Sequence, residues 1–248
     1  KAGLEIENEI VQTCRDANVR IVGPNCLGVI NPMPDTKLNA SFSGRMPKPG
    51  NVSFISQSGA LCTAVLDFAA DRDFGFSKFI SVGNKADLDE LDLLRYLHED
   101  KDTEVIMMYL EELRRGHEFI EEVRNITSGE RPTPILAIKS GRTGAGAEAA
   151  ASHTGALAGS DAVYESIFDQ SGIIRVDSII ELFDLASAFA YKNESNDGKF
   201  QRKVPEGDRV AIVTNAGGPG IIATDTTISC GLQLAKFQSD TIEALASH

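Results

Sequence analysis

The stretch "EAAASHTGALAGSD", residues 148–161, surrounds one titratable ring, His153, almost entirely with small residues. Such residues give the ring little to pack against, and they let a backbone approach a ligand closely. A histidine that is phosphorylated in one place and then carried to another needs a segment of this kind. The alternative is a solvent-exposed histidine without a role, which is the usual case for a lone histidine in a loop.

Phosphorylation of one imidazole nitrogen requires that the other nitrogen be kept as N–H, and a nearby carboxylate fixes that tautomer. Glu111 is the candidate for this carboxylate, because it follows the predicted strand "TEVIMMYL" directly. The alternative interpretation is that Glu111 and Glu112 are ordinary charges at the end of a strand.

A third candidate is "SQSG", residues 56–59, at a predicted strand-to-helix turn. Ser56 or Ser58 can cap the helix that follows, and Gly59 lets backbone amides come close to a ligand. The free N–H groups and the dipole at such a helix end attract phosphate. A plain helix cap without a ligand is the alternative.

These candidates lie on an alternation of strands and helices that begins at Asn51. The predicted strands are 51–56, 76–82, 103–110, 133–139 and 173–176. The predicted helices are 58–73, 88–100, 117–127, 160–172 and 178–191. The alternation predicts parallel pairing, and five such units predict a flavodoxin-like, doubly wound α/β domain. Ligands are expected at the carboxyl ends of its strands, where "SQSG", "SVGNKADLD" and "EELRRG" fall.

Shorter stretches flank this domain on both sides. Residues 1–17 have helical apolar spacing, "VRIVG" (19–23) predicts a short strand, and "GPNCLGVINPMPD" (23–35) predicts a loop. After a polar linker, residues from 209 onward predict a strand, a Gly-rich turn, a helix, a strand and a helix. We expect these flanks to be pieces of two further α/β domains, and the chain to be a fragment of a longer protein.

Composition excludes some classes of function. The net charge is −12 and the pI is about 4.8, which argues against nucleic-acid binding and binding to anionic membranes, since both need basic patches. No apolar run has the length of a membrane span. The four cysteines show no CxxC pairing and the four histidines no metal-ligand spacing, so we expect reduced thiols, a cytoplasmic protein and no metal site.

The chain resembles the NDP-forming acyl-CoA synthetases in five stretches: "RIVGPNCLGVINP", "VSFISQSGAL", "GFSKFISVGNKADLDELDLLRYL", "LAIKSGRT" and "SHTGALAGSDAVYESIFDQSGIIRV". ADP-forming acetyl-CoA synthetase is the best-known member, and the α subunit of succinyl-CoA synthetase is a more distant relative. The resemblance implies a remnant of a CoA-binding Rossmann domain at 1–45 and a succinyl-CoA-ligase-like flavodoxin domain at 46–195. It further implies a linker at 196–204 and the start of a third α/β domain at 205–248.

The resemblance also implies a reaction, in which acyl-CoA, phosphate and ADP are converted reversibly into acid, CoA and ATP. An acyl phosphate forms first, and its phosphoryl group passes through a phosphohistidine, matched here by His153, to ADP. The stabilising carboxylate matches Glu111. The remaining matches are Ser56, Ser58 and Gly59 for phosphate, and Asn25, Gly83 and Asn84 near the acyl and CoA site.

Further expectations follow from the family. CoA and ADP or ATP are substrates, together with a small acyl-CoA or acyl phosphate. Nucleotide and Mg²⁺ would bind an ATP-grasp part, either a β subunit or a fused domain, that has no counterpart in this chain. We expect the complete protein to be an oligomer and this chain alone to be inactive. A non-catalytic regulatory or ligand-binding module is the alternative function.

Overall fold

The computed structural model describes residues 2–146, 160–191, 193–194, 200–201 and 207–247. Contacts divide the chain into two units, 1–191 and 192–248. The described helices of the first unit are α1 (Ala2–Asp16), α2 (Gly59–Asp71), α3 (Glu90–Glu99), α4 (Gly116–Ser128), α5 (Asp161–Ser171) and α6 (Ile179–Ala190). Its described strands are β1 (Gly28–Asn31), β2 (Leu38–Ser41), β3 (Pro49–Ser56), β4 (Phe76–Ser81), β5 (Val105–Leu110), β6 (Ile135–Lys139) and β7 (Ile174–Arg175).

These strands form one sheet in the order β2-β1-β4-β3-β5-β6-β7. The five from β3 to β7 pair in parallel, and their order is that of a flavodoxin-like, doubly wound sheet. The predicted fold class is therefore confirmed. In register, Ser56 at the end of β3 lies between Ser81 of β4 and Tyr109 of β5, so these three strands end side by side.

Helices cover both faces of the sheet because its central strands are apolar on both sides. In β5, Ile106 and Met108 enter the core cluster that includes α3, α4 and α5. Val105 and Met107 point the other way, into the cluster that includes α2 and α6. The two cores fix the strands, and with them the loops that follow.

The N-terminal part of the chain differs from the prediction. Residues 19–23 form no strand, because the backbone of Ile21 bonds to a loop instead: its N–H donates to Asp87 Oδ2 (2.9 Å) and its carbonyl accepts from Leu88 N–H (3.2 Å). Conversely, residues 28–31, predicted as loop, form β1. This strand pairs antiparallel with β4 and with β2, so residues 28–41 extend the sheet.

The second unit contains short elements, which are β8 (Asn193–Glu194), β9 (Phe200–Gln201), β10 (Arg209–Val210), α7 (Gly217–Ser229), β11 (Gln233–Leu234) and α8 (Ser239–Ala246). β8 and β9 pair antiparallel, and β10 and β11 pair in parallel. From 209 onward the order strand, helix, strand, helix agrees with the pattern expected from the sequence. Across the described ranges, no helix is both long enough and apolar enough to span a bilayer.

Candidate active site

A cavity of about 1030 Å³ opens in the first unit where β3, β4 and β5 end. Its lining residues from the loops after these strands are Gln57, Ser58, Gly59, Ala60, Gly83, Asn84, Lys85, Glu111, Glu112 and Arg114. The N-terminal part of the chain contributes Glu7, Asn25, Cys26, Leu27 and Phe42. The cavity therefore lies where ligands bind doubly wound sheets, at the carboxyl ends of the strands.

The amino end of α2 forms one wall of the cavity. Ser58 is the N-cap of this helix, and its hydroxyl oxygen accepts a hydrogen bond from Leu61 N–H (3.3 Å). Within the described ranges, the N–H groups of Gly59 and Ala60 donate to no protein acceptor, as is usual in the first turn of a helix. These free donors, together with the helix dipole, suit the wall to an anion.

Ser56 lies beneath this wall and not on it. It is fully buried, its hydroxyl oxygen accepts from Ser58 N–H (3.0 Å), and it donates to the Ser58 carbonyl (2.9 Å). The structure therefore places Ser56 as a support for the turn that presents Ser58 and Gly59.

Glu111 lines the same cavity and comes directly after β5. Its carboxylate makes no hydrogen bond or ion pair with any residue that the structure describes. Its neighbour Glu112 differs, because that carboxylate lies 3.6 Å from Lys85 Nζ and 3.4 Å from Arg114 Nε. Both adjacent glutamates line the cavity, and Glu111 is the one whose carboxylate has no ion-pair partner among the described residues.

The third wall is made by two turns that bind each other. Asn84 N–H donates to the Pro24 carbonyl (2.9 Å), and Asn25 Nδ2 donates to Asn84 Oδ1 (3.2 Å). Gly83 has a φ of +51°, and a Cβ there would lie 2.2 Å from the Pro24 carbonyl oxygen. The glycine is required because the two backbones touch at this point. Leu27 N–H, which donates to Ser81 Oγ (3.0 Å), fixes the first turn to the end of β4.

A buried polar cluster behind the cavity was not predicted. Gln57, Lys85 and Glu90 are 8%, 3% and 2% exposed. Lys85 Nζ lies 3.1 Å from Glu90 Oε2, and burial raises the pKa of Glu90 although Lys85 lowers it. No local pattern marks these residues, since polar and charged side chains are usually solvated and the burial of these three depends on tertiary contacts, such as those of Gln57 and Lys85 with the Glu112 carbonyl.

The structure thus gathers most of the predicted site residues around one cavity. Those that line it are Asn25, Ser58, Gly59, Gly83, Asn84 and Glu111. His153 lies outside the described residues, between Gly146 and Ser160. Throughout the described part of the chain, no cluster of three or more His, Cys, Asp or Glu residues could hold a metal ion.

Comparisons with known proteins identify the family. A family model described as "Succinyl-CoA ligase like flavodoxin domain" matches residues 49–189. The chain is 43% identical, over 99% of its length, to the α subunit of acetate–CoA ligase [ADP-forming] II of Pyrococcus furiosus, covering 50% of that protein. It is also 43% identical, over 96% of its length, to 4-hydroxybutyrate–CoA ligase [ADP-forming] of Nitrosopumilus maritimus, covering 32% of it.

Solved structures agree with this assignment. A dinucleotide-forming acetyl-coenzyme A synthetase 1 of Ca. Korarchaeum cryptofilum, in complex with phosphate and ADP, superposes with a TM-score of 0.83 at 41% identity. The match covers 96% of this chain and 49% of that one. The chain spans about a third to a half of the length of the curated relatives it matches. It belongs to the family that carries the succinyl-CoA-ligase-like flavodoxin domain, and its resemblance to the NDP-forming acyl-CoA synthetases is confirmed.

Proposed function

We propose that this chain acts as part of an ADP-forming acyl-CoA synthetase. Acyl-CoA and phosphate give an acyl phosphate and free CoA. The phosphoryl group then passes from the acyl phosphate to a ring nitrogen of His153, which releases the acid. ADP takes the phosphoryl group from the histidine, so that ATP forms and the imidazole is regenerated.

The residues around the cavity have separate tasks in this scheme. The N–H groups of Gly59 and Ala60 bind the phosphoryl oxygens, with the dipole of α2 offsetting a charge near −2. The Glu111 carboxylate accepts the N–H of the second ring nitrogen of His153, which keeps the first nitrogen free to bond phosphorus. Asn25, Gly83 and Asn84 shape the side from which acyl-CoA enters.

The observation that carries the proposal is that the amino end of α2 and the Glu111 carboxylate, which has no partner among the described residues, line the same cavity. Anion donors and an available carboxylate in one cavity suit a phosphohistidine. The relatives are named as ADP-forming CoA ligases, which supports the same proposal.

The substrates and partners belong to the proposal as well. CoA and ADP or ATP are its substrates, and the nucleotide is bound by an ATP-grasp subunit or fused domain. Mg²⁺ would accompany the nucleotide on that part. The longer relatives indicate other domains or subunits, and we propose that the complete protein is an oligomer.

A coupled assay of the complete protein tests the proposal. With phosphate, ADP and either acetyl-CoA or 4-hydroxybutyryl-CoA, we expect ATP to form and His153→Asn to abolish its formation. The 248-residue chain alone should form none. Full ATP formation by His153→Asn would contradict the mechanism. Failure of the unaltered protein with a wide range of acyl-CoAs would favour a regulatory or ligand-binding module.

A further inference from the structure

Gln57 connects two walls of the cavity through one buried side chain. It stands between Ser56 and Ser58 in the turn before α2 and is 8% exposed. Its Oε1 accepts hydrogen bonds from the backbone N–H groups of Glu111 (2.7 Å) and Glu112 (2.9 Å). Its Nε2 donates to the Glu112 carbonyl (2.8 Å). The amide thus binds the loop after β5 at three backbone atoms, 54 residues away in sequence at Glu111.

Only a neutral amide satisfies all of these partners. A glutamate would keep the acceptor but lose the donor, and it would place a second charge where Nε2 now lies 3.5 Å from Glu90 Oε2. An apolar side chain would leave two buried N–H groups without an acceptor, which is costly.

Lys85 holds the same loop from behind. Its Nζ donates to the Glu112 carbonyl (3.0 Å) while it pairs with Glu90. The Glu112 carbonyl therefore accepts hydrogen bonds from both Gln57 and Lys85. The Glu111 carboxylate, by contrast, makes no hydrogen bond or ion pair in the described part of the chain, so the position of its backbone is the main constraint on its direction.

We propose that Gln57 is a positioning residue that holds the Glu111 carboxylate in place within the cavity that the amino end of α2 also lines. Because Gln57 belongs to the turn that presents Ser58 and Gly59, the anion-binding wall and the carboxylate keep a fixed separation. This inference rests on the proposed function, in which Glu111 orients His153. A displacement of about 1 Å in a reacting group can cost on the order of 100-fold in rate.

A double-mutant cycle in the complete protein tests this. The rate of His153 phosphorylation from acetyl-CoA and labelled phosphate is measured by rapid quench. The variants compared are Gln57→Met, Glu111→Gln and the double variant. We expect Gln57→Met to slow phosphorylation by roughly 10- to 100-fold, with little change in KM for acetyl-CoA. In the Glu111→Gln background the same substitution should have little further effect, because Gln57 acts through Glu111.

Control variants distinguish a loss of positioning of Glu111 from a loss of folding. Gln170→Met makes the same change on the exposed face of α5, where Nε2 bonds only Ser166 (2.9 Å), and should leave the rate unchanged. If Gln57→Met does not fold, Gln57→Asn takes its place in the cycle. It keeps a neutral amide but is one methylene shorter, and it should show a smaller but equally non-additive loss.

The outcomes distinguish the two proposals. If the unaltered protein phosphorylates His153 and Glu111→Gln slows it, but the effects of the two substitutions multiply, the role of Gln57 is wrong and the proposed function stands. If Gln57→Met phosphorylates His153 as fast as the unaltered protein does, the role of Gln57 is likewise wrong and the proposed function stands. If the unaltered protein forms no phosphohistidine, the proposed function itself fails.

Discussion

The α-carbon of Gly83 lies against the carbonyl of Pro24, so closely that a Cβ on Gly83 would stand 2.2 Å from the Pro24 oxygen. This contact joins the loop after β4 to the turn at 23–26, and with it two of the cavity-lining segments. The carbonyl belongs to backbone, so it cannot turn aside as a flexible side chain would.

Gly83→Ala should therefore lower the free energy of unfolding by about 2–3 kcal/mol, because the φ of +51° is strained for alanine and the Pro24 carbonyl must also move. Urea unfolding of the chain measures this. Gly116→Ala is the matched control, since no atom lies within 4 Å of the Cβ position at the start of α4. There the change should be stabilising by about 0.4–1 kcal/mol. Equal effects at both positions would contradict the account of Gly83.

We expect the stability of the fold to depend on pH through Asp87. Its side chain is 1% exposed, it pairs with Arg20 (2.8 Å) and Arg15 (2.7 Å), and it accepts from Ile21 N–H. The hydrogen bond from Arg20 is the largest cause that holds the pKa of Asp87 well below its usual range. Since the folded pKa lies below the unfolded value of about 3.9, the carboxylate stabilises the fold above pH 4 and loses this effect as pH falls.

Asp87→Asn should accordingly cost about 2–3 kcal/mol at pH 7, and the difference from the unaltered protein should shrink below pH 4. Urea unfolding at a series of pH values measures it. Asp67→Asn, whose carboxylate is 60% exposed beside Arg45, should change stability by less than about 1 kcal/mol. If the loss of stability caused by Asp87→Asn grew as the pH fell, the predicted direction of the pH dependence would be wrong.

We expect the two charges of the buried pair Lys85–Glu90 to depend on each other for their effect on stability. Both side chains are 2% exposed and lie 3.1 Å apart, so removal of either charge leaves the other buried with its main partner lost. Glu90→Gln and Lys85→Met should each destabilise the fold by about 3 kcal/mol. The double variant Lys85→Met with Glu90→Leu should cost much less than the sum, as measured by thermal and urea unfolding. Strict additivity would mean that the two charges do not interact.

We expect the thiols of Cys62 and Cys230 to differ in reactivity. Cys62 is fully buried, and burial raises the pKa of its thiol to about 11, whereas Cys230 is exposed. The thiolate is the reactive form, so iodoacetamide at pH 8 should alkylate Cys230 and leave Cys62 intact until urea unfolds the protein. Mass spectrometry of peptides after timed alkylation measures both. Rapid alkylation of Cys62 in the folded chain would contradict its burial.

Local sequence was enough to predict the five parallel strands and the helices between them, because apolar runs such as β5 alternate with amphipathic stretches. It was also enough to bring Ser58, Gly59 and Glu111 to one edge, since parallel strands end together. The hairpin β1–β2 was missed because β1 is held by pairing with β4 and β2 by pairing with β1, and no local pattern encodes the contact with β4.

The burial and hydrogen bonds of Gln57 and Lys85 were missed for a related reason. Each looks like an ordinary polar residue in its own loop, and each is buried by a loop that follows a different strand. For Ser56, the position beside the helix cap predicted a ligand contact, whereas its hydroxyl bonds to the backbone of Ser58, which local sequence did not indicate. The division into domains at 45, 195 and 204, and the role of His153, remain predictions.

The most direct test follows one phosphoryl group. The complete protein is incubated with acetyl-CoA and radiolabelled phosphate, without ADP, and the labelled residue is mapped. The account predicts an acid-labile, base-stable label on His153 that moves to ATP when unlabelled ADP is added, and no label on His153→Asn. Equal labelling of His153→Asn, or a label that ADP cannot remove, would contradict it.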